Sequence, residues 1–158
     1  MIRVILLAFF CLVILVQTTK AEEKYEATIC TAGTMTVFHD NKDLAPVLNI
    51  SCNGIIKSQS RNKFLDNVTG HCEIVWRGVG ENARALGYCR FIDPEGDILI
   101  MEWDVNGKEA KGTFLEGTGK YKGIKASHKS ETLAQGKPPM KGSYAACRKL
   151  TGTYELAK

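Results

Sequence analysis

Beyond residue 24 the chain alternates apolar and polar residues in short runs, and no useful length of it carries a helical period. The runs that read as strands are Tyr25–Thr31, Met35–His39, Val47–Cys52, Gly54–Ser58, His71–Val79 and Ala85–Asp93. They continue with Asp97–Val105, Lys111–Glu116, Ile124–Leu133 and Gly142–Leu156, the last expected to break near Gly152. Turn chemistry separates them. His39 to Asp43, Gly80-Glu81-Asn82, Asp93 to Asp97, Val105 to Lys108 and Gly136 to Pro139 supply glycine, proline, asparagine and aspartate. Asn106-Gly107 is the strongest of these as a tight hairpin signal. Short strands recurring between turns specify an all-β sandwich or barrel.

Period-two alternation also separates the faces. Cys72, Ile74 and Trp76 share one face of their strand, with His71, Glu73 and Arg77 on the other. Leu99, Met101, Trp103 and Val105 form a wholly apolar face. The reverse of that strand starts apolar at Ile98 and Ile100 and turns acidic at Glu102 and Asp104. A strand apolar on both faces is covered on both sides. Either a partner packs on the wall, such as another subunit, or an apolar interior surrounds a cavity.

The first 21 residues break the alternation. Arg3 precedes an unbroken apolar run from Val4 to Val16, and Thr19-Lys20-Ala21 sets small residues where a signal peptidase cleaves. The run is shorter than the ~18–20 residues a membrane-spanning helix needs. Residues 1–21 are therefore read as a signal peptide and 22–158 as one β domain, exported to the periplasm or secreted, with no integral membrane span in the mature chain. Cys11 lacks the small residue expected before a lipidated cysteine. Setting aside Arg3 and Lys20 leaves 19 basic residues against 17 acidic. With the bases scattered among acids, nothing marks the stripe that a nucleic-acid binder concentrates.

Five cysteines fall within residues 22–158, which in an exported protein suggests disulfides and leaves one thiol over. Centring the first hairpin on Asn41 sets Cys30 opposite Cys52; centring the next between Gly80 and Glu81 sets Cys72 opposite Cys89. Cys147 is then the odd residue. The alternative is that these are buried thiols acting as small hydrophobes.

The segment Gly117-Thr118-Gly119-Lys120-Tyr121-Lys122-Gly123-Ile124 marks a tight excursion between strands. Gly87-Tyr88-Cys89, Asp93-Pro94-Glu95-Gly96-Asp97 and Gly112-Thr113-Phe114 precede it in that order. Over roughly residues 70–156 this order resembles the bacterial allene oxide cyclase barrel-like proteins, relatives of plant allene oxide cyclases and dirigent proteins. The resemblance implies an eight-stranded antiparallel barrel of the calycin type with a central cavity, in a superfamily where homo-oligomers are common.

Chemical signals are sparse. Lys120 is followed by Tyr121, so the glycine segment is no Walker A loop, and it precedes no helix, so it is no dinucleotide fingerprint. Asp93–Asp97 and Asp40–Asp43 lack EF-hand spacing and read as turns. His39, His71 and His128 show no paired-ligand spacing, and no cofactor or metal is implied. Asn49-Ile50-Ser51 and Asn67-Val68-Thr69 fit the glycosylation pattern. The functional expectation is a binding barrel that takes a small hydrophobic ligand inside or a partner on its wall, with Trp76, Tyr88 and Trp103 lining the cavity or core. The rival is a cyclase or isomerase for a lipid-like substrate. It would use Glu102 or Glu116 as the desolvated acid–base group in an apolar pocket. A barrel filled by side chains would instead leave a surface-interaction protein.

Overall fold

The computed structural model describes residues 22–39, 41 and 43–157; the signal segment at 1–21 lies outside them. Eight strands follow one another: β1 (Glu23–His39), β2 (Val47–Ser58), β3 (Val68–Arg77), β4 (Arg84–Ile92), β5 (Ile98–Asn106), β6 (Glu109–Gly117), β7 (Lys125–Gln135) and β8 (Ser143–Glu155). Each pairs antiparallel with its sequence neighbour, and β8 pairs back onto β1 to close the barrel. Closure gives every strand a partner on both sides, although β6 and β7 meet only from Lys111↔Lys129 to Phe114↔Ala126.

Inward positions follow the alternation. Ile29, Ile56, Val68, Phe91, Leu99 and Leu150 are buried in the core, and each such side chain contributes about 1.5–3 kcal/mol relative to exposure. Two pairs of expected strands are single elements here, and β8 runs through Gly152 unbroken. The glycines that suggested breaks are packing positions. A Cβ at Gly33 would collide with the backbone of Ser51 and Cys52, so glycine is what lets β1 and β2 close to this distance.

The two ends of the barrel differ. At one end the connection between β2 and β3 folds across the opening and inserts Phe64 and Leu65. Phe64 stacks on Tyr154 at 3.8 Å and meets Tyr25 edge-on at 4.9 Å. Asp66 fixes this plug by accepting from the Ser58 backbone N–H at 3.0 Å and pairing with Lys57 at 3.3 Å. Leu65 adopts φ 62°, an unfavourable region for a γ-branched residue; its nearly complete burial offsets that cost. The glycine segment lies at the same end, as the turn between β6 and β7. There the Asp97 carboxylate accepts from the Lys120 backbone N–H, and Tyr121 is buried.

Hairpins β1–β2, β3–β4, β5–β6 and β7–β8 surround the other end. This rim carries exposed Phe38, Leu44, Val79 and Met140 (67, 59, 68 and 72% exposed), an unusual concentration of apolar surface for a loop region.

Two disulfides join Cys72 to Cys89 and Cys30 to Cys147. The first matches the register expected from the Gly80–Glu81 turn, since Cys72 and Cys89 are direct partners. The Cys30–Cys52 pairing is corrected. Cys30 faces Ile55 on β2, because the β1–β2 connection reaches Pro46 and β1 shifts register between Val37 and His39. The two cysteines also lie on opposite faces, with Cys30 on the exposed outer wall and Cys52 buried inside. Cys30 meets Cys147 across the β1–β8 seam, and Cys52 is the free thiol among the described residues.

Candidate functional site

Strand parity places an unusual set of polar groups inside the barrel. On β7, Ala126, His128 and Ser130 point inward; on β8 the inward face runs Tyr144, Ala146, Arg148, Leu150, Gly152, Tyr154. Glycines make room for the imidazole. A Cβ at Gly112 would strike the His128 ring, and one at Gly152 would strike its Cα and Cβ.

His128 is 4% exposed, and its Nδ1 shares a 2.8 Å hydrogen bond with the Tyr25 hydroxyl. Its Nε2 has no partner, whichever tautomer the ring adopts. Burial and the nearby Arg148 charge push its pKa down to about 4, so the ring is neutral at physiological pH. Burial likewise pushes the Tyr25 hydroxyl well above the ordinary phenol range, which keeps it neutral.

Arg148 is half-buried in the same interior. Its Nε donates to Ser130 Oγ at 2.8 Å, and its guanidinium carbon lies 5.0 Å from the Trp103 ring centre. The Tyr144 phenol stands close enough to favour the charged guanidinium. A hydroxyl, a phenol and an indole face thus surround a positive charge, and no carboxylate among the described residues pairs with it. Burial lowers the guanidinium pKa from its usual value, but that value is so high that the charge persists.

The space between these groups is a cavity of about 50 Å³, lined by Ile29, Ile50, Ile74, Met101, Trp103 and Phe114 among others. That is room for a few water molecules and well below the ~300 Å³ of an ordinary ligand pocket. Trp76 and Tyr144 also line it and are only half-buried, on the side of the open rim. Cys52 lines it too, its thiol raised above its ordinary pKa chiefly by burial.

The sequence-selected residues divide accordingly. Trp76 and Trp103 face the cavity. Tyr88 does not: it alternates with inward Gly87 and Cys89, is 51% exposed, and donates its hydroxyl to Glu102 at 3.0 Å on the outer wall. Glu102 therefore also lies outside. Simple alternation would turn Glu116 inward after Phe114, but the register shift in the β5–β6 pairing sets it opposite outward Ile100, and it is exposed. Neither carboxylate reaches the interior. His71 is on the outer wall, bonded to Asn53 at 3.0 Å and Glu73 at 2.9 Å. The acidic turn at Asp93, Glu95 and Asp97 is a structural anchor. Asp93 accepts from the backbone N–H groups of Glu95 and Asp97 and pairs with Lys120 at 2.6 Å.

Alternation read through to the end of the chain would have found Arg148, the one charge on the otherwise uncharged inward face of β8. His128 was open to the same reading between Ala126 and Ser130.

A second depression, about 970 Å³ and widely open, lies on the outer wall around the Cys30–Cys147 bridge. Ala32, Ala145, Ile55 and Ile92 contribute to its floor, and Asn53, His71 and Arg90 to its margin.

No protein-family model and no curated protein matches the sequence. Among solved structures, a dirigent protein described as the pterocarpan synthase GePTS1 superposes with a TM-score of 0.51 at 10% identity. The match covers 86% of this chain and 92% of that one. The barrel is dirigent-like in fold. At this identity the likeness speaks for the architecture alone, and it singles out neither an allene oxide cyclase nor a bacterial source. No described helix is long and apolar enough to cross a membrane, and the two disulfides fit an exported protein.

Proposed function

We propose that this is an exported binding protein that takes a small, largely apolar molecule through the open end of the barrel. The observation that carries this reading is a pair of ill-satisfied polar groups in an apolar interior: among the described residues, Arg148 is without an acid and His128 Nε2 without a partner. Buried in this way, each lowers stability relative to a hydrocarbon side chain of similar size. A few convergent polar groups in an apolar hollow are the ordinary composition of a small-molecule site. The apolar rim of Phe38, Leu44, Val79 and Met140 gives such a ligand a compatible approach. Because the cavity is small, entry requires Trp76 to give up the 2.9 Å bond that its indole N–H donates to the Gly78 carbonyl, and Tyr144 to move away from Arg148. A synthase built on the same barrel is consistent with small-molecule chemistry here. The cyclase reading through Glu102 or Glu116 lacks its geometry, since both face outward.

Cys52 is a built-in reporter of this site. A neutral apolar dye such as N-phenylnaphthylamine is expected to bind saturably at one per chain, to quench the tryptophans, and to slow alkylation of Cys52. The last is best followed at alkaline pH, given the raised thiol. Binding that leaves the Cys52 rate unchanged would place the dye on the wall and reject the reading.

The broad outer depression supports a second reading, docking of a protein partner or another copy of the chain. Its apolar floor beside a polar margin resembles an interface patch. Light scattering across a concentration series would reveal self-association; a monomer at all concentrations would leave a different partner.

A further inference from the structure

Resting on the interior-binding reading, we infer that the ligand is an organic acid whose anionic head pairs with Arg148. A guanidinium inside a barrel is costly to desolvate and is ordinarily matched by a carboxylate of the same chain. Among the described residues its partners are neutral: Ser130 Oγ at 2.8 Å, the Tyr144 phenol, and the face of Trp103 at 5.0 Å. The acids that alternation could have placed nearby are elsewhere. Glu102 is held by Tyr88 on the outer wall, Glu116 is turned out by the β5–β6 register shift, and Asp93 is held by Lys120 at the plugged end.

The indole face and Ser130 hold the guanidinium in place without neutralising it, and Ser130 engages only Nε. The terminal N–H groups of an arginine form a fork suited to a carboxylate. His128, neutral beside it, adds no competing positive charge. Its Nδ1 is engaged by the Tyr25 hydroxyl, and its ring lines the cavity with Nε2 set against Gly112. The remaining lining is apolar, and the half-buried Trp76 and Tyr144 lie toward the open rim. The acid therefore enters head first, and its apolar body rests against those two rings. The small cavity selects a compact body, an aryl or short alkyl monocarboxylate, over a long chain.

The chain holds two tryptophans, and both line the cavity, so intrinsic fluorescence reads the site directly. The test is titration with phenylbutyrate against phenylbutanol and with hexanoate against hexanol, scored by fluorescence and by protection of Cys52. Each acid is expected to bind at least about tenfold more tightly than its alcohol, as a charge-assisted contact replaces a neutral one. Arg148→Gln is expected to erase that preference, and Arg148→Lys to keep part of it. The wild-type ratio needs no variant, so the inference can be judged even if Arg148→Gln does not fold. Acid and alcohol binding equally, or a preference that persists in Arg148→Gln, would overturn the inference while sparing the interior site. Inorganic phosphate or chloride competing as strongly as the carboxylates would also overturn it, pointing to a simple anion. If neither acid nor alcohol protects Cys52, interior binding itself fails.

Discussion

Replacing both Cys30 and Cys147 with alanine is expected to lower unfolding stability by about 5 kcal/mol, while removing Cys72–Cys89 costs about 3 kcal/mol. The difference comes from the unfolded chain. The first bridge closes a sequence separation of 117 residues and the second one of 17, and the entropy withheld from the unfolded state grows with the logarithm of loop length. In the native state the outer bridge adds little, because β1 and β8 are already paired from Glu23↔Tyr154 to Thr34↔Ser143. The variant should thus keep the wild-type far-ultraviolet spectrum in water and unfold at much lower denaturant. Urea unfolding monitored by circular dichroism measures both losses. A smaller loss for the Cys30–Cys147 variant than for the Cys72–Cys89 variant would show that native-state contacts, not chain entropy, dominate.

The second large effect is acid sensitivity through His128. Its pKa falls from an ordinary 6.5 when unfolded to about 4 when folded. Between those values the unfolded chain binds a proton that the native barrel refuses. Stability therefore holds above pH 6.5, declines as the pH falls toward 4, and this group contributes no further loss below that. Over the window the loss is about 3 kcal/mol. The lowered carboxylates act later. Glu73, held near 2 by Ser51, Asn49 and His71, and Asp66, lowered mainly by the Ser58 backbone N–H, titrate from ordinary values of 4.5 and 3.8. Their contributions are present above those values and are lost only below them. His128→Gln, which can still accept from Tyr25, should flatten the stability profile between pH 6.5 and 4.5. Urea midpoints at closely spaced pH values test this, and an unchanged slope in the variant would assign the effect elsewhere.

Much of the barrel was legible in the sequence because its strands alternate cleanly and most of their turns are chemically explicit. The β3–β4 hairpin is the clearest case: the connection over residues 78–83, with a 3₁₀ turn at Gly80–Asn82, is centred between Gly80 and Glu81, and Cys72 meets Cys89. The β1–β2 hairpin was illegible for the complementary reason. A bulge between Val37 and His39 shifts the register where no turn residue announces it, and the two cysteines of the expected pair fall on opposite faces. The plug was also hidden. Residues 59–67 have no periodicity, and tertiary contact with Tyr154, Tyr25, Tyr121 and Phe114 is what makes Phe64 a core residue. The candidate site sits between these cases. Tyr88 was misassigned although its parity with Cys89 turns it outward, and Glu116 could not be assigned without knowing the bulge. Arg148 and His128 needed only the same alternation carried into β7 and β8.

The central claim is that the ligand lies inside the barrel and not on it. Methyl-resolved NMR of the protein saturated with phenylbutyrate tests that most directly. Ile29, Ile50, Ile74 and Met101 line the cavity, and Ile55 and Leu86 are exposed on the wall. The account predicts large shifts for the first four and none for the last two. Shifts at Ile55 and Ile92, with the interior methyls silent, would contradict it and move the binding site to the outer depression.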